Sequence, residues 1–142
     1  MTLSFDGRIV VPAADPDDAE RTATTLASRL DPTSTVIFVH VIEKAGGAID
    51  KAPLEQRKEY ARETFDRASE PLEATDATVE TEILYGTDVV ETIFEGADEW
   101  DADAIAFIPR EGRRITELLT GDVSRRLVRE AAIPVVALPQ NG

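Results

Sequence analysis

The stretch TVIFVHVI, Thr35–Ile42, decides the fold class. It is eight residues long, rich in β-branched side chains, and apolar at odd and even positions alike. A strand with one wet face alternates polar with apolar residues, whereas a strand covered on both faces does not. Thr35–Ile42 is therefore predicted to be an interior strand of a mostly parallel sheet. Such a sheet needs helical crossovers on both faces, so helical spacing should flank the stretch on either side.

It does. Upstream, RIVVP (Arg8–Pro12) is another short apolar run, followed by DPDDAERTATTLASRL (Asp15–Leu30). Asp15 suits a helix N-cap and Pro16 the first helical position. Asp17 and Asp18 place negative charge at the positive end of the helix dipole. Ala19, Ala23, Leu26, Ala27 and Leu30 fall on one face, and Asp31-Pro32 is expected to stop the helix. Downstream, a polar loop, EKAGGAIDKA, leads into PLEQRKEYARETFDRASEPL (Pro53–Leu72). Leu54, Ala61, Phe65, Ala68 and Leu72 recur there at helical spacing, with Pro71 ending or kinking the helix near Glu70.

The pattern repeats to the end of the chain. ATVETEILYG (Ala77–Gly86) carries a third strand, whose alternating first half, Val79, Thr81 and Ile83 against Glu80 and Glu82, suggests a sheet edge. DVVETIFEGADEW opens with a capping-box pattern, Asp88 to Glu91, and presents Val90, Ile93, Phe94 and Ala97 on one face. Trp100 ends that apolar stripe. AIAFIP (Ala104–Pro109) is a fourth strand. Val123, Leu127, Val128 and Ala131 mark a last helix, and IPVVALP (Ile133–Pro139) a last strand. The order β-α-β-α-β-α-β-α-β over residues 1–142 reads as one α/β domain, an open five-stranded parallel sheet with helices on both faces. Ligands in such folds bind beyond the carboxyl ends of the strands, at the topological switch point. That singles out the loops after Pro12, Ile42 and Pro109.

Composition narrows the function classes. There are 142 residues and no cysteine, which excludes disulfides, thiolate metal sites and cysteine nucleophiles. No apolar run approaches the ~18 residues of a membrane span, and the N-terminus lacks the pattern of a signal peptide. A cytoplasmic location is expected. The net charge is -13, which argues against nucleic acid as a partner. Of 15 cationic residues only Lys44, Lys51 and Lys58 are lysines, leaving 12 arginines. An acidic, lysine-poor surface suits a halophilic setting, where counterions screen self-repulsion. On that reading the melting temperature rises with added KCl, and a curve flat against salt would contradict it.

Four stretches carry a resemblance to a known family. IVVPAADPDDAERT (Ile9–Thr22), VIFVHVIE (Val36–Glu43), ILYGTDVVETIFEGADEWDADAIAF (Ile83–Phe107) and LLTGDVSRRLVREAAIPVVAL (Leu118–Leu138) together resemble the universal stress protein family, the UspA domain. The resemblance covers nearly the whole chain in order. It implies the same open parallel fold and a homodimer, paired through the last strand at Val135, Val136, Ala137 and Leu138. It also implies one of two behaviours. One branch of the family binds ATP, sometimes with slow hydrolysis, and the other binds no nucleotide.

The nucleotide branch carries a loop of form G-x-x-G, nine residues, then G-S or G-T, and tends to place an aspartate two residues after the first-strand proline. Glycines there let backbone N–H groups approach phosphate, and the final glycine opens a helix whose N-terminus favours an anion. In FIPREGRRITELLTGDVS (Phe107–Ser124), Gly121 fits. The two earlier glycines fall on Ile108 and Glu111, and the hydroxyl position on Asp122. Using Gly112 as the second glycine leaves only eight residues before Gly121, a shortened loop. In the first strand Pro12 fits, but the family aspartate falls on Ala14, with Asp15 one place late. Val41 matches the family's base-contacting valine, and Ser124 keeps a hydroxyl. If nucleotide binds, the resemblance puts Pro12, Ala13, Val41, Gly121, Asp122, Val123 and Ser124 around it. Carboxylates at Glu111 and Asp122 oppose a triphosphate, so the expectation is a non-enzymatic module with a degenerate loop and no cofactor. An ATP-binding protein, with Mg²⁺ as the compensating cation and weak hydrolysis at most, is the alternative. A flavoprotein-like domain is disfavoured, because no glycine-rich turn follows the first strand.

The remaining chemistry is sparse. Arg110, Arg113, Arg114, Arg125, Arg126 and Arg129 crowd into one segment. They read as solvated helix charge with salt bridges to Glu111, Glu117, Asp122 and Glu130. The competing reading is an anion site built from guanidinium forks. Asp15, Asp17 and Asp18 could hold Mg²⁺, yet capping explains them. His40, the sole histidine, lies in an apolar strand without a second histidine or any cysteine. It reads as a packed, hydrogen-bonded histidine rather than a metal ligand or triad member. The expected partners are a second copy of the chain and a protein or small anionic ligand.

Overall fold

A computed structural model describes residues 4–44, 51–109 and 121–139. Strands and helices alternate: β1 (Arg8–Pro12), α1 (Pro16–Ala27), β2 (Thr35–Glu43), α2 (Lys51–Ser69), β3 (Thr78–Gly86), α3 (Val89–Glu99), β4 (Ala104–Phe107), α4 (Gly121–Arg129) and β5 (Val135–Ala137). The strands form one parallel sheet in the order β3-β2-β1-β4-β5. This is the open five-stranded parallel architecture with helices on both faces.

Alternation along each strand divides the core in two. Ile9, Val11, Val36, Phe38, Ala104 and Ala106 face one layer, with Ala19, Ala23 and Leu26 of α1 and Ala61, Phe65 and Ala68 of α2. Val10, Ile37, Val39, Ile105 and Phe107 face the other, with Val90, Ile93 and Ala97 of α3 and Leu127 of α4. Burying each large aliphatic or aromatic side chain contributes roughly 2 kcal/mol, which explains why β2 is apolar at consecutive positions. β3 is an edge strand, paired to β2 alone. Its exposed Glu80 and Glu82 discourage further pairing.

Caps set the helix starts. Asp15 is extended and its carboxylate accepts from the Asp18 N–H at 2.8 Å, with Pro16 next in the helix. Asp88 does the same for the Glu91 N–H at 3.0 Å. A 3₁₀ turn over Glu70–Leu72, containing Pro71, follows α2.

Several boundaries differ from those expected. α1 ends at Ala27 rather than at Asp31-Pro32. The Arg29 N–H turns back to the Leu26 carbonyl at 2.7 Å, and Leu30 forms a parallel bridge with Phe5. The chain leaves the helix to pair with its own N-terminal segment, so Leu30 is not on the helical face. Val128 is 56% exposed instead of buried, and Ala131 lies beyond α4. β4 stops at Phe107, and Ile108 is 2% exposed within the α1/α2-side core. β5 is the other edge strand and spans only Val135–Ala137, within the expected Ile133–Pro139. Leu138 is 4% exposed and belongs to the core of its own chain.

Candidate functional site

β1 has β2 on one side and β4 on the other. The chain leaves β1 towards α1, on one face, and leaves β4 towards α4, on the other. The two connections diverge at the carboxyl end of the sheet, which makes this gap the switch point. β2 outruns β1 here. Pro12 pairs with Val39, the last β1–β2 partners, whereas His40–Glu43 continue against Ile83–Gly86 of β3.

The residues expected at a ligand site distribute around this gap. Pro12 ends β1 and is buried, as are Ala13 and Ala14 just beyond it. The Ala13 N–H donates to the Val39 carbonyl at 2.9 Å, which fixes the start of the β1–α1 connection. Val41 is buried on β2, on the α3/α4 side. Gly121 begins α4, which runs back from the carboxyl end to feed β5. In its first turn Asp122 is exposed, Val123 half-buried and Ser124 buried. Ser124 and Leu127, three residues apart, share the inner face that docks α4 on the sheet. Arg110, Glu111, Gly112, Arg113, Arg114 and Glu117 lie outside the described residues.

Ile108 explains one missing glycine in physical terms. Its side chain is a core element, so the backbone there cannot be stripped for close approach to phosphate without opening a cavity.

The arginines that are described favour local ion pairs. Arg126 reaches Asp88 Oδ2 at 3.1 Å and Glu130 Oε2 at 2.7 Å. It thereby ties α4 to the cap of α3 and turns away from the start of its own helix. The Glu91 N–H, followed by the Arg126 guanidinium, holds Asp88 below its ordinary value against partial desolvation. Arg126 likewise lowers Glu130 and is itself raised, by Glu130 first and then Asp88. Arg125 and Arg129 are exposed.

The acidic cluster of α1 disperses. Asp15 caps the helix, Asp17 pairs with Arg67 of α2 at 3.0 Å, and Asp18 turns inward. Asp18 is 1% exposed and its Oδ2 accepts from the Ala14 N–H at 3.3 Å. Among the described residues no three metal-binding side chains gather. The inward Asp18 was not anticipated. The signal was the i, i+4, i+7 spacing of Asp18, Thr22 and Thr25, all buried, which lies beside the alanine stripe.

His40 is hydrogen-bonded and packed. Its Nδ1 lies 2.8 Å from the Ala13 carbonyl oxygen. A carbonyl only accepts, so Nδ1 carries the hydrogen of the neutral ring. Tyr60 of α2 meets the ring edge-on at 6.0 Å. Burial lowers the His40 pKa, against the opposing pull of Ala13 and of Asp15.

The model of the universal stress protein family matches residues 7–139, spanning all five strands. The chain belongs to the universal stress protein family. Among curated protein sequences none matches it. Solved structures of universal stress proteins share its fold. UspA from Lactobacillus plantarum is 20% identical with a TM-score of 0.70, covering 96% of this chain and 99% of that one. The universal stress protein from Archaeoglobus fulgidus, solved in complex with dAMP, is 23% identical with a TM-score of 0.64, covering 96% and 100%. A universal stress protein in complex with cAMP is 21% identical with a TM-score of 0.63, covering 94% and 97%. No described helix of this universal stress protein is long and apolar enough to cross a membrane.

Proposed function

We propose that this universal stress protein is a binding module rather than an enzyme, acting as a cytoplasmic homodimer that engages a protein partner or a small anionic ligand. The observation that carries this reading is Asp122. An exposed carboxylate at the second residue of α4 sits where a phosphate would meet the helix N-terminus, and it repels a triphosphate most. The described polar side chains around the gap are also held in local contacts. His40 donates to Ala13, and Arg126 is engaged by Asp88 and Glu130. The dimer would form along the C-terminal strand, through Val135, Val136, Ala137 and Leu138, covering the open edge of β5 by isologous pairing.

The second reading is an adenine-nucleotide-binding protein with weak or no hydrolysis. Two relatives bound to dAMP and cAMP favour it, and both ligands carry a single phosphate. Buried Pro12, Ala13 and Val41 keep the apolar side of such a pocket, with Gly121, Val123 and Ser124 at its helix end.

Calorimetry with ATP and Mg²⁺, AMP and cAMP, with a phosphate-release assay and light scattering, tests both. The first reading expects no ATP binding tighter than about 1 mM, no phosphate release above buffer, and twice the chain mass. Micromolar ATP or turnover overturns it in favour of the second. A monomer at micromolar concentration removes the dimer.

A further inference from the structure

β3 closes the sheet on the side away from β5, and its hydrogen bonds fix where each peptide group points. The Thr78 N–H donates to the Ser34 carbonyl at 3.0 Å, and the Lys44 N–H to the Gly86 carbonyl at 2.8 Å. In a parallel ladder, alternate residues of a strand bond to the same neighbour. The residues in step with Thr78 and Gly86, Glu80 and Glu82 among them, therefore spend their peptide groups on β2. Val79, Thr81, Ile83 and Tyr85 turn theirs outward, to an edge that no other described strand occupies.

Side chains alternate with the same period. Val79 and Ile83 pack towards the α1/α2 layer, and Tyr85 shares their face with 40% of its surface exposed. Glu80 and Glu82 stand exposed on the opposite face. That face is bordered by α3, where Gly96 lies against Leu84 and Thr92 against Gly86. Helical spacing puts the exposed Glu95 and Glu99 on the rim beside these contacts. Arg8 approaches Glu80 at 4.0 Å and also donates to the Trp100 carbonyl. Glu82, Glu95 and Glu99 have no cationic partner among the described residues. The edge thus pairs a row of outward peptide groups with one apolar face and one acidic face. A second copy would bring the same carboxylates opposite these, and like charges repel across a strand pair. A cationic strand meets no such penalty.

We infer that the β3 edge is a docking surface for an extended segment of a partner protein in which cationic and apolar residues alternate. The segment adds to the sheet beyond β3. Its peptide groups bond to those of Val79, Thr81, Ile83 and Tyr85, as in other cases of strand addition. Its cationic side chains lie beside Glu80 and Glu82, and its apolar ones beside Val79, Ile83 and Tyr85. This gives a chemistry to the protein partner proposed above, and rests on that reading. It uses neither the gap nor β5.

The test titrates the full chain with a capped peptide that alternates lysine and valine over the length of β3, read by amide hydrogen exchange. At saturation the amides of Val79, Thr81, Ile83 and Tyr85 should gain about tenfold or more in protection. Those of Glu80, Glu82 and Leu84, already bonded to β2, should change little. A peptide of the same composition, with its lysines and valines in separate blocks, should give no such alternation. Glu80→Lys combined with Glu82→Lys should weaken the alternating lysine peptide by about tenfold at low salt. The same variant should favour an alternating glutamate–valine peptide instead. Should it not fold, Glu82→Lys alone carries the comparison. No gain at the four amides, a gain spread evenly along β3, or an equal response to the block peptide overturns the docking surface. So does an affinity unchanged by the charge reversal. Protection that is present in the free protein and rises with its concentration means that a second copy covers the edge, and overturns it as well. Nucleotide calorimetry and light scattering judge the binding-module reading separately. The docking surface can therefore fail while that reading stands, and tight ATP binding with turnover removes that reading whatever these amides do.

Discussion

Phe38→Ala should lower the unfolding free energy by about 3–5 kcal/mol. Phe38 is fully buried in β2, paired in register with Val11 on one side and Thr81 on the other. Its ring fills the layer between the sheet and the helices α1 and α2. Two effects add when it is truncated: the lost transfer of the ring from water, and a cavity that two strands and two helices cannot all close upon. A domain of this size has about 5–15 kcal/mol in total, so the variant stands near the edge of unfolding. Urea denaturation at constant salt measures it, as a large drop in midpoint. Val128→Ala is the matched control. Val128 is also apolar and in a regular element, but its exposure on α4 predicts a change within about 0.5 kcal/mol. Equal losses for the two variants would contradict the two-layer core.

The same contrast shows what the sequence disclosed. Burial on both faces of β2 was legible because nothing but an interior parallel strand wants eight such residues in succession. The Asp15-Pro16 and Asp88 starts were legible because capping is local, decided within four residues. The end of α1 was not. It depends on Phe5 reaching Leu30 across the chain, a contact with no local signature. Val128 misled for a related reason. At helical spacing it belongs with Leu127, but the face that docks is fixed by Ser124 and Leu127, and that is a tertiary outcome.

The site divides along the same line. Pro12 closes β1, Ala13 follows it, and Val41 lies two residues before the end of β2, positions that strand patterning alone makes legible. In the sequence Asp18 reads as dipole charge, since its spacing with Thr22 and Thr25 competes with a stronger alanine stripe. Arg126 was legible as a candidate for ion pairing but not its partner Asp88, which lies 38 residues away on another helix. In the sequence Ile108 stands only as a missing glycine. Its physical role, a core side chain just past β4, came only from the packing.

Asp122→Ser should raise the affinity for an adenosine monophosphate by about tenfold at low salt, the consequence of removing one like charge a few ångströms from the phosphate in a mostly aqueous setting. Gly121 and Asp122 open α4, where the positive end of the helix dipole favours an anion. In the native chain Asp122 supplies that negative charge itself, so a ligand phosphate must compete with a tethered carboxylate. Serine removes the charge and adds a hydroxyl that can donate to phosphate. Asp122→Asn removes the charge alone, and its share of the gain separates electrostatics from the new hydrogen bond. The gain should shrink as salt is raised, because Asp122 is exposed and screened. Triphosphate affinity should rise less than monophosphate affinity, since Ile108 stays in the core and Glu111 remains anionic, so the glycine half of the loop is not restored. Calorimetric titration of the three proteins with AMP at two salt concentrations measures all of this. If Asp122→Ser and the native chain bind AMP equally, the helix end is not where a phosphate docks. The reading of Asp122 as the residue that sets this protein's ligand class then fails.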